Sequence, residues 1–345
     1  VDFTSNWTSY AVLSQYSSPY NQRRNSFATF ANIDWNVSND LVISGGLRYT
    51  KDNAKFRGEN IDADPWGLSV FEETFKTDAN FSWDREFDDS NVSGKLAIQY
   101  FISDNLNVFA SVSTAYRGGG FDGTSIFSEE ETQPFESEEV LAYEAGARYV
   151  TDIINITFDV FSYDFEELQA TARLSNDTNG RTNVGEATVR GAEASIAVTL
   201  FEANEHKVTF NTAGTYLDTE ITEFSSNRVN DVISTIGDPL PGSPEWSQTA
   251  ALNYQTSLAN NTQLNARINY SYHGEESNRL NAGDGNTAPS YGLLGVRVDV
   301  TFASGLNIYA YGRNITDEVY FLELNGGARL VGAPATYGGG VSYAF

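Results

Sequence analysis

The chain has 345 residues, with 21 Lys and Arg against 46 Asp and Glu, a formal net charge of −25, and neither Cys nor Met. That charge argues against a nucleic-acid partner, whose phosphates need cations, and the absence of Cys excludes disulfides and Cys-based metal sites within the chain. A hydrophobic fraction of 40% and a mean hydropathy of −0.36 look soluble, but they equally fit a membrane barrel, where only every second strand residue meets lipid.

In chain order the sequence reads as strands. An early strand is expected over 7–17. Pairs then follow at 25–37 and 41–51, 91–102 and 106–117, 139–150 and 153–166, 185–201 and 207–220, 245–256 and 262–272, and 291–302 and 306–315. A last strand covers 335–345. That makes about fourteen strands of about ten residues, the length that a tilted strand needs to cross the hydrocarbon. Within each pair the turn is short and polar. Between pairs the connections are long: 52–90, 118–138, 168–184, 221–244, 273–290 and 316–334. Short turns facing the periplasm and long loops facing outside describe an all-β, transmembrane, antiparallel up-and-down barrel of the bacterial outer membrane. No run approaches the ~18 apolar residues of a transmembrane helix. No initiator Met or signal peptide heads the chain, and residues 1–20 read as the middle of a loop and strand, so the native amino-terminus is expected upstream.

The alternation assigns faces. Leu264, Ala266, Ile268 and Tyr270 oppose Asn265, Arg267 and Asn269; Leu294, Val296, Val298 and Val300 oppose Arg297, Asp299 and Thr301. Tyr49, Tyr100, Tyr149, Tyr270, Tyr272 and Tyr343 lie toward strand ends, as interfacial aromatic girdles do.

Several segments carry a family resemblance. Asn314-Ile315-Thr316-Asp317-Glu318-Val319-Tyr320 and the ending Gly332-Ala333-Pro334-Ala335-Thr336-Tyr337-Gly338 are two of them. Phe27–Phe30 with Leu47–Thr50, Tyr116–Phe121, Tyr143–Tyr149 and Arg190–Glu193 are the others. In this order they resemble the barrel of TonB-dependent receptors, although Ala335 stands where that family usually has Arg. The resemblance implies a 22-stranded barrel filled by an amino-terminal plug, with 1–345 as the carboxy-terminal part and the plug and first strands outside this chain. It implies active import of a scarce nutrient, most commonly a ferric siderophore, driven by TonB–ExbB–ExbD through the plug. Lipopolysaccharide, outer-membrane lipid and a surface lipoprotein are its implied partners. A passive porin or fatty-acid-type channel of fourteen to sixteen strands is the alternative.

By face assignment, a lumen charge network comprises Arg48, Lys95, Glu144, Arg148, Asp159, Glu193, Arg267, Arg297 and Asp299, expected to pair across strands and with the plug. Arg117 also faces the lumen, at the outward end of its strand beside a Gly-rich loop, where it is placed to hold an anionic ligand. Phe121, in that loop, and Trp66 and Trp83, in the aromatic connection 52–90, are the other ligand-contact candidates; part of that connection is expected as strand extensions above the membrane. Gly118-Gly119-Gly120 reads as a sharp turn at the rim, and the acidic run 128–131 as a solvated charge run. His206 and His273 form no metal or catalytic cluster, no Ser-His-Asp arrangement is suggested, and the chain is not read as an enzyme. No covalently bound cofactor is expected.

Overall fold

The computed structural model describes the chain except residues 1, 6–7, 12–13, 63–79, 125, 175–178, 225–235, 279, 281–286, 326–327 and 345. Thirteen strands run up and down in one antiparallel sheet. They are β1 (Tyr20–Asn36), β2 (Leu41–Asp62), β3 (Phe81–Ser103), β4 (Leu106–Arg117), β5 (Glu138–Val150) and β6 (Ile154–Glu166), followed by β7 (Gly185–Ala203), β8 (His206–Phe224), β9 (Trp246–Leu258), β10 (Thr262–His273), β11 (Tyr291–Thr301), β12 (Leu306–Arg313) and β13 (Thr336–Tyr343). Each pairs with its sequence neighbour, and Asp2–Ser5 pairs along the other edge of β1. Among the described residues β13 pairs only with β12, so the sheet is open.

Register fixes the faces, because directly paired residues project to the same side of a sheet. On the outer side, Ile33 lies opposite Gly45, Leu47 opposite Gly94, Leu252 opposite Ile268, and Ile308 opposite Val341. Many of these apolar side chains are open: Ile33 is 70% exposed, Leu47 67% and Val92 65%. Such a belt is stable only against hydrocarbon. The tyrosines Tyr49, Tyr100, Tyr149, Tyr270 and Tyr343 stand exposed on it.

The structure corrects the sequence reading in three places. Thirteen up-and-down strands with Asp2–Ser5 at the edge agree with the expected number of about fourteen, but the early strand expected at 7–17 is two short strands, Thr8–Ala11 and Ser14–Ser17, paired with each other. Strand extensions expected within the connection 52–90 are present among its described residues: β2 and β3 run 22 and 23 residues, far longer than a membrane crossing requires. Gly118–Gly120 is a close approach rather than a sharp turn. A Cβ at Gly119 would lie 2.4 Å from the Phe135 carbonyl oxygen, while Gly120 exchanges backbone hydrogen bonds with Phe135 at 2.9 Å. The acidic run folds into a 3-10 turn, Glu129–Thr132, closed by a Ser128/Glu131 capping box in which Glu131 is buried.

Candidate functional site

The inner face of the sheet carries the charged residues read from the alternation. Arg48 lies opposite Ser93, Lys95 opposite Gly46, Arg148 opposite Thr157, Glu193 opposite Asp159, and Arg267 opposite Arg297. A concavity of about 620 Å³ in this face gathers Lys95, Glu144, Arg148, Asp159 and Glu193 with Tyr163. The Tyr163 hydroxyl donates to Glu144 at 2.9 Å, and Ser111 donates to the same carboxylate at 3.3 Å. Asp159 Oδ1 is buried and meets no donor among the described residues. Gly146 keeps this corner open, since a Cβ there would lie 2.3 Å from Asp159 Oδ1 and 2.8 Å from the Phe109 ring.

Among the described residues no ion pair within this set crosses strands. Its one ion pair there joins Arg297 and Asp299 of the same strand, β11, two-pronged at 2.7 and 2.8 Å, with the Arg297 guanidinium 4.1 Å from the centre of the Tyr309 ring. Arg48 donates to Thr50 at 3.0 Å and lies over Phe30; Arg148 lies over Phe109. These ring contacts orient the cations without neutralising them.

Toward the outside, a second concavity of about 420 Å³ is lined by Arg24, Ser26, Arg48, Thr50, Asp52 and Tyr116, among others. Asp52 is buried and accepts from Tyr116 and, at 3.2 Å, from Arg24. Burial pushes the Asp52 carboxyl up, but hydrogen bonds from Tyr116, Ser26 and Arg24 outweigh it and hold the group below its ordinary range. Burial and the Asp52 carboxylate both push the Tyr116 phenol far up, so it stays a donor. Sequence reasoning missed this group because Asp52 fell in an expected connection. The available signal was the unbroken alternation Arg24, Ser26, Ala28, Phe30 on one face of β1.

Arg117 ends β4 and is exposed, and its carbonyl accepts from Gln169 Nε2 at 3.1 Å. Trp83 and Phe121 do come together, but in the interior of a packed cluster. Phe56 stacks on Phe121 at 5.3 Å and meets Trp83 at 5.4 Å, with Ala54, Phe87 and Ile126 also buried around them. The loop after β4 thus covers the inner face of the β2–β3 extension, and neither ring is open to a ligand in this arrangement. Trp66 lies outside the described residues.

Comparison with known proteins places this architecture. The family model described as "TonB dependent receptor-like, beta-barrel" matches residues 1–315. The pesticin receptor of Yersinia pestis is 23% identical over 173 residues, covering 49% of this chain and 23% of that protein. Among solved structures, the ferric yersiniabactin uptake receptor FyuA from Yersinia pestis superposes with a TM-score of 0.77 at 18% identity, over 94% of this chain and 46% of that one. The ferric-catecholate import receptor Fiu from E. coli gives 0.67 at 15% identity, over 97% and 52%. The chain therefore spans about half the length of these solved receptors, and its matched 173 residues cover about a quarter of the curated relative.

Proposed function

Because the chain belongs to the TonB-dependent receptor β-barrel family, whose members sit in the bacterial outer membrane, we propose that it forms the wall of an active importer whose cargo is a ferric siderophore. The observation that carries this reading is the inner face. Lys95, Glu144, Asp159 and Glu193 share one concavity, yet none of them joins an ion pair among the described residues. A plug of complementary charge would take these lumen carboxylates while TonB–ExbB–ExbD pulls on it, and the family match favours that importer over a passive channel, whose lumen can also carry charged side chains.

The cargo reading draws on the outer mouth. Arg24 and Arg117 stand toward the outward ends of β1 and β4, Arg48 lies lower on the inner face of β2 in the same concavity as Arg24, and guanidinium groups grip carboxylate, catecholate or hydroxamate oxygens with two donors at once. The structural neighbours named for ferric yersiniabactin and ferric-catecholate uptake support the same class of cargo. Uptake of ⁵⁵Fe-loaded siderophores by cells with and without an in-frame deletion of this gene tests the proposal. Uptake that needs both the gene and TonB supports it. Passive flux of small solutes through the purified protein in liposomes, independent of TonB, would replace it with the channel reading.

A further inference from the structure

We propose that cargo crosses the lumen along one lane of the wall, the inner columns of β8 and β9, while the charged columns on either side hold the plug. The proposal rests on the importer reading but not on which chelate is carried.

Thr215 of β8 lies opposite both Glu193 and Ser247, so its column faces the lumen. From Thr209 to Ile221 that column has no Asp, Glu, Lys or Arg, and neither has the matching column of β9 from Ser247 to Gln255. Both flanks are charged. On one side β5, β6 and β7 carry Glu144, Arg148, Asp159 and Glu193; on the other β11 carries Arg297 and Asp299. The side chains of the uncharged sector are also short. Asn211, Ala213, Thr249, Ala251 and Asn269 leave a concavity of about 440 Å³, which Arg267 of β10 also lines. Arg267 joins no ion pair among the described residues.

The two kinds of wall act differently on a solute in a narrow aqueous lumen. A carboxylate or guanidinium grips an opposite charge firmly, which suits a fixed partner. Hydroxyl and amide groups offer neutral hydrogen bonds of modest net strength, and passage requires binding weak enough to leave. An anionic chelate meets no carboxylate in this lane to repel it, and one guanidinium to draw it in.

Packing closes the mouth above β2–β6. The buried Gln169 side chain donates to the carbonyls of Arg117 at 3.1 Å and Glu136 at 2.9 Å. Asn183, also buried, accepts from the Glu136 amide at 2.7 Å and donates to the Glu136 and Glu167 carbonyls at 3.0 and 2.8 Å. These two residues knit the hairpin of Gln169–Arg173 and Asn179–Asn183 to the loop 118–137, which itself stacks Phe121 on Phe56. Opening a route on that side leaves buried polar groups unpaired.

The chain has no Cys, so a thiol introduced into it is the only one in 1–345. Ala213→Cys and Thr249→Cys place thiols at exposed lane positions. Ser113→Cys places one opposite Lys95, at the same depth from the start of its strand as Ala213. Living cells carrying the full-length receptor, kept in their own spent iron-poor medium with TonB present or deleted, are treated with a sulfonated maleimide, and the labelled peptide is followed by mass spectrometry. TonB should speed labelling of Ala213→Cys and Thr249→Cys about tenfold, as when a minor open state rises from about 1% to about 10% of the receptors. Ser113→Cys should not respond, although all three should label alike after boiling in SDS. A TonB-dependent rise at Ser113→Cys, at all three positions or at none overturns the lane, and the importer reading survives that result if ⁵⁵Fe uptake still needs TonB. Fast labelling of all three without TonB overturns both.

Discussion

Asp52 shows how one side chain ties three strands at the outer mouth. Its carboxylate gathers donors from Arg24 of β1 and Tyr116 of β4 while it sits on β2 just beyond the spanning segment. Hydrogen bonds to a charged, buried acceptor are among the stronger ones in a protein. Asp52→Asn keeps the shape but removes the charge that Arg24 faces, and should cost about 1–2 kcal/mol, read as a lower urea midpoint in detergent. The pH dependence follows from the lowered folded value. A carboxyl that titrates lower when folded contributes its full stability above its unfolded value of about 3.9, and loses that contribution as pH falls through the folded value. The wild type should therefore lose stability below pH about 4 by a margin that Asp52→Asn lacks. At this scale the sequence was informative where alternation was regular: Lys95, Glu144, Arg148, Asp159 and Glu193 all fall on the inner face and in one concavity. It was silent on Gly146, whose role is to leave space for Asp159 and Phe109. Neither neighbour is close to it in sequence.

The extended hairpin explains why the aromatic candidates were misread. Through the bilayer, β2 puts apolar Leu47 and Tyr49 outward and polar Arg48 and Thr50 inward. Above the bilayer the same two columns continue as Lys51, Asn53, Lys55 and Arg57 outward and as Ala54 and Phe56 inward. The alternation never breaks, but its chemistry inverts, because the solvent outside the sheet changes from oil to water. A reading tuned to lipid-facing strands therefore ends each spanning strand at the inversion and cannot give the bounds of the extension beyond it. It also takes Trp83 for an exposed ring, when Trp83 lines the covered side beneath Phe121. The loop is held there by Gln22, which donates to the Phe121 carbonyl at 3.1 Å, and by Asn60, which donates to the Ile126 carbonyl at 3.0 Å. Phe56→Ala removes the ring on which Phe121 stacks, a cavity worth about 3–5 kcal/mol in a packed core. The expected result is faster hydrogen exchange over 120–127 with the spanning strands unchanged. Equal exchange in both proteins would mean that the polar contacts alone hold the loop.

Over the whole molecule, the outward belt of Ile33, Leu47, Val92, Leu252 and Val341 is too exposed for water and too regular for a partner interface. The protein should remain in the membrane pellet after high-salt and carbonate washes and leave it only with detergent; release by carbonate alone would contradict the barrel reading. Architecture was the most legible level, since period-2 alternation with short turns on one side recurs along the entire chain. The first expected strand, 7–17, was less so, because the short paired strands there follow local hairpin geometry rather than a bilayer crossing. The unequal strand lengths have one more consequence. With about half of β2 and β3 needed to cross the bilayer, the remaining eleven or so residues of each reach roughly 36 Å along the strand direction. An epitope tag on the polar outer column of this hairpin should therefore be stained by antibody on living cells, while the covered inner column beneath stays out of reach of the same reagent.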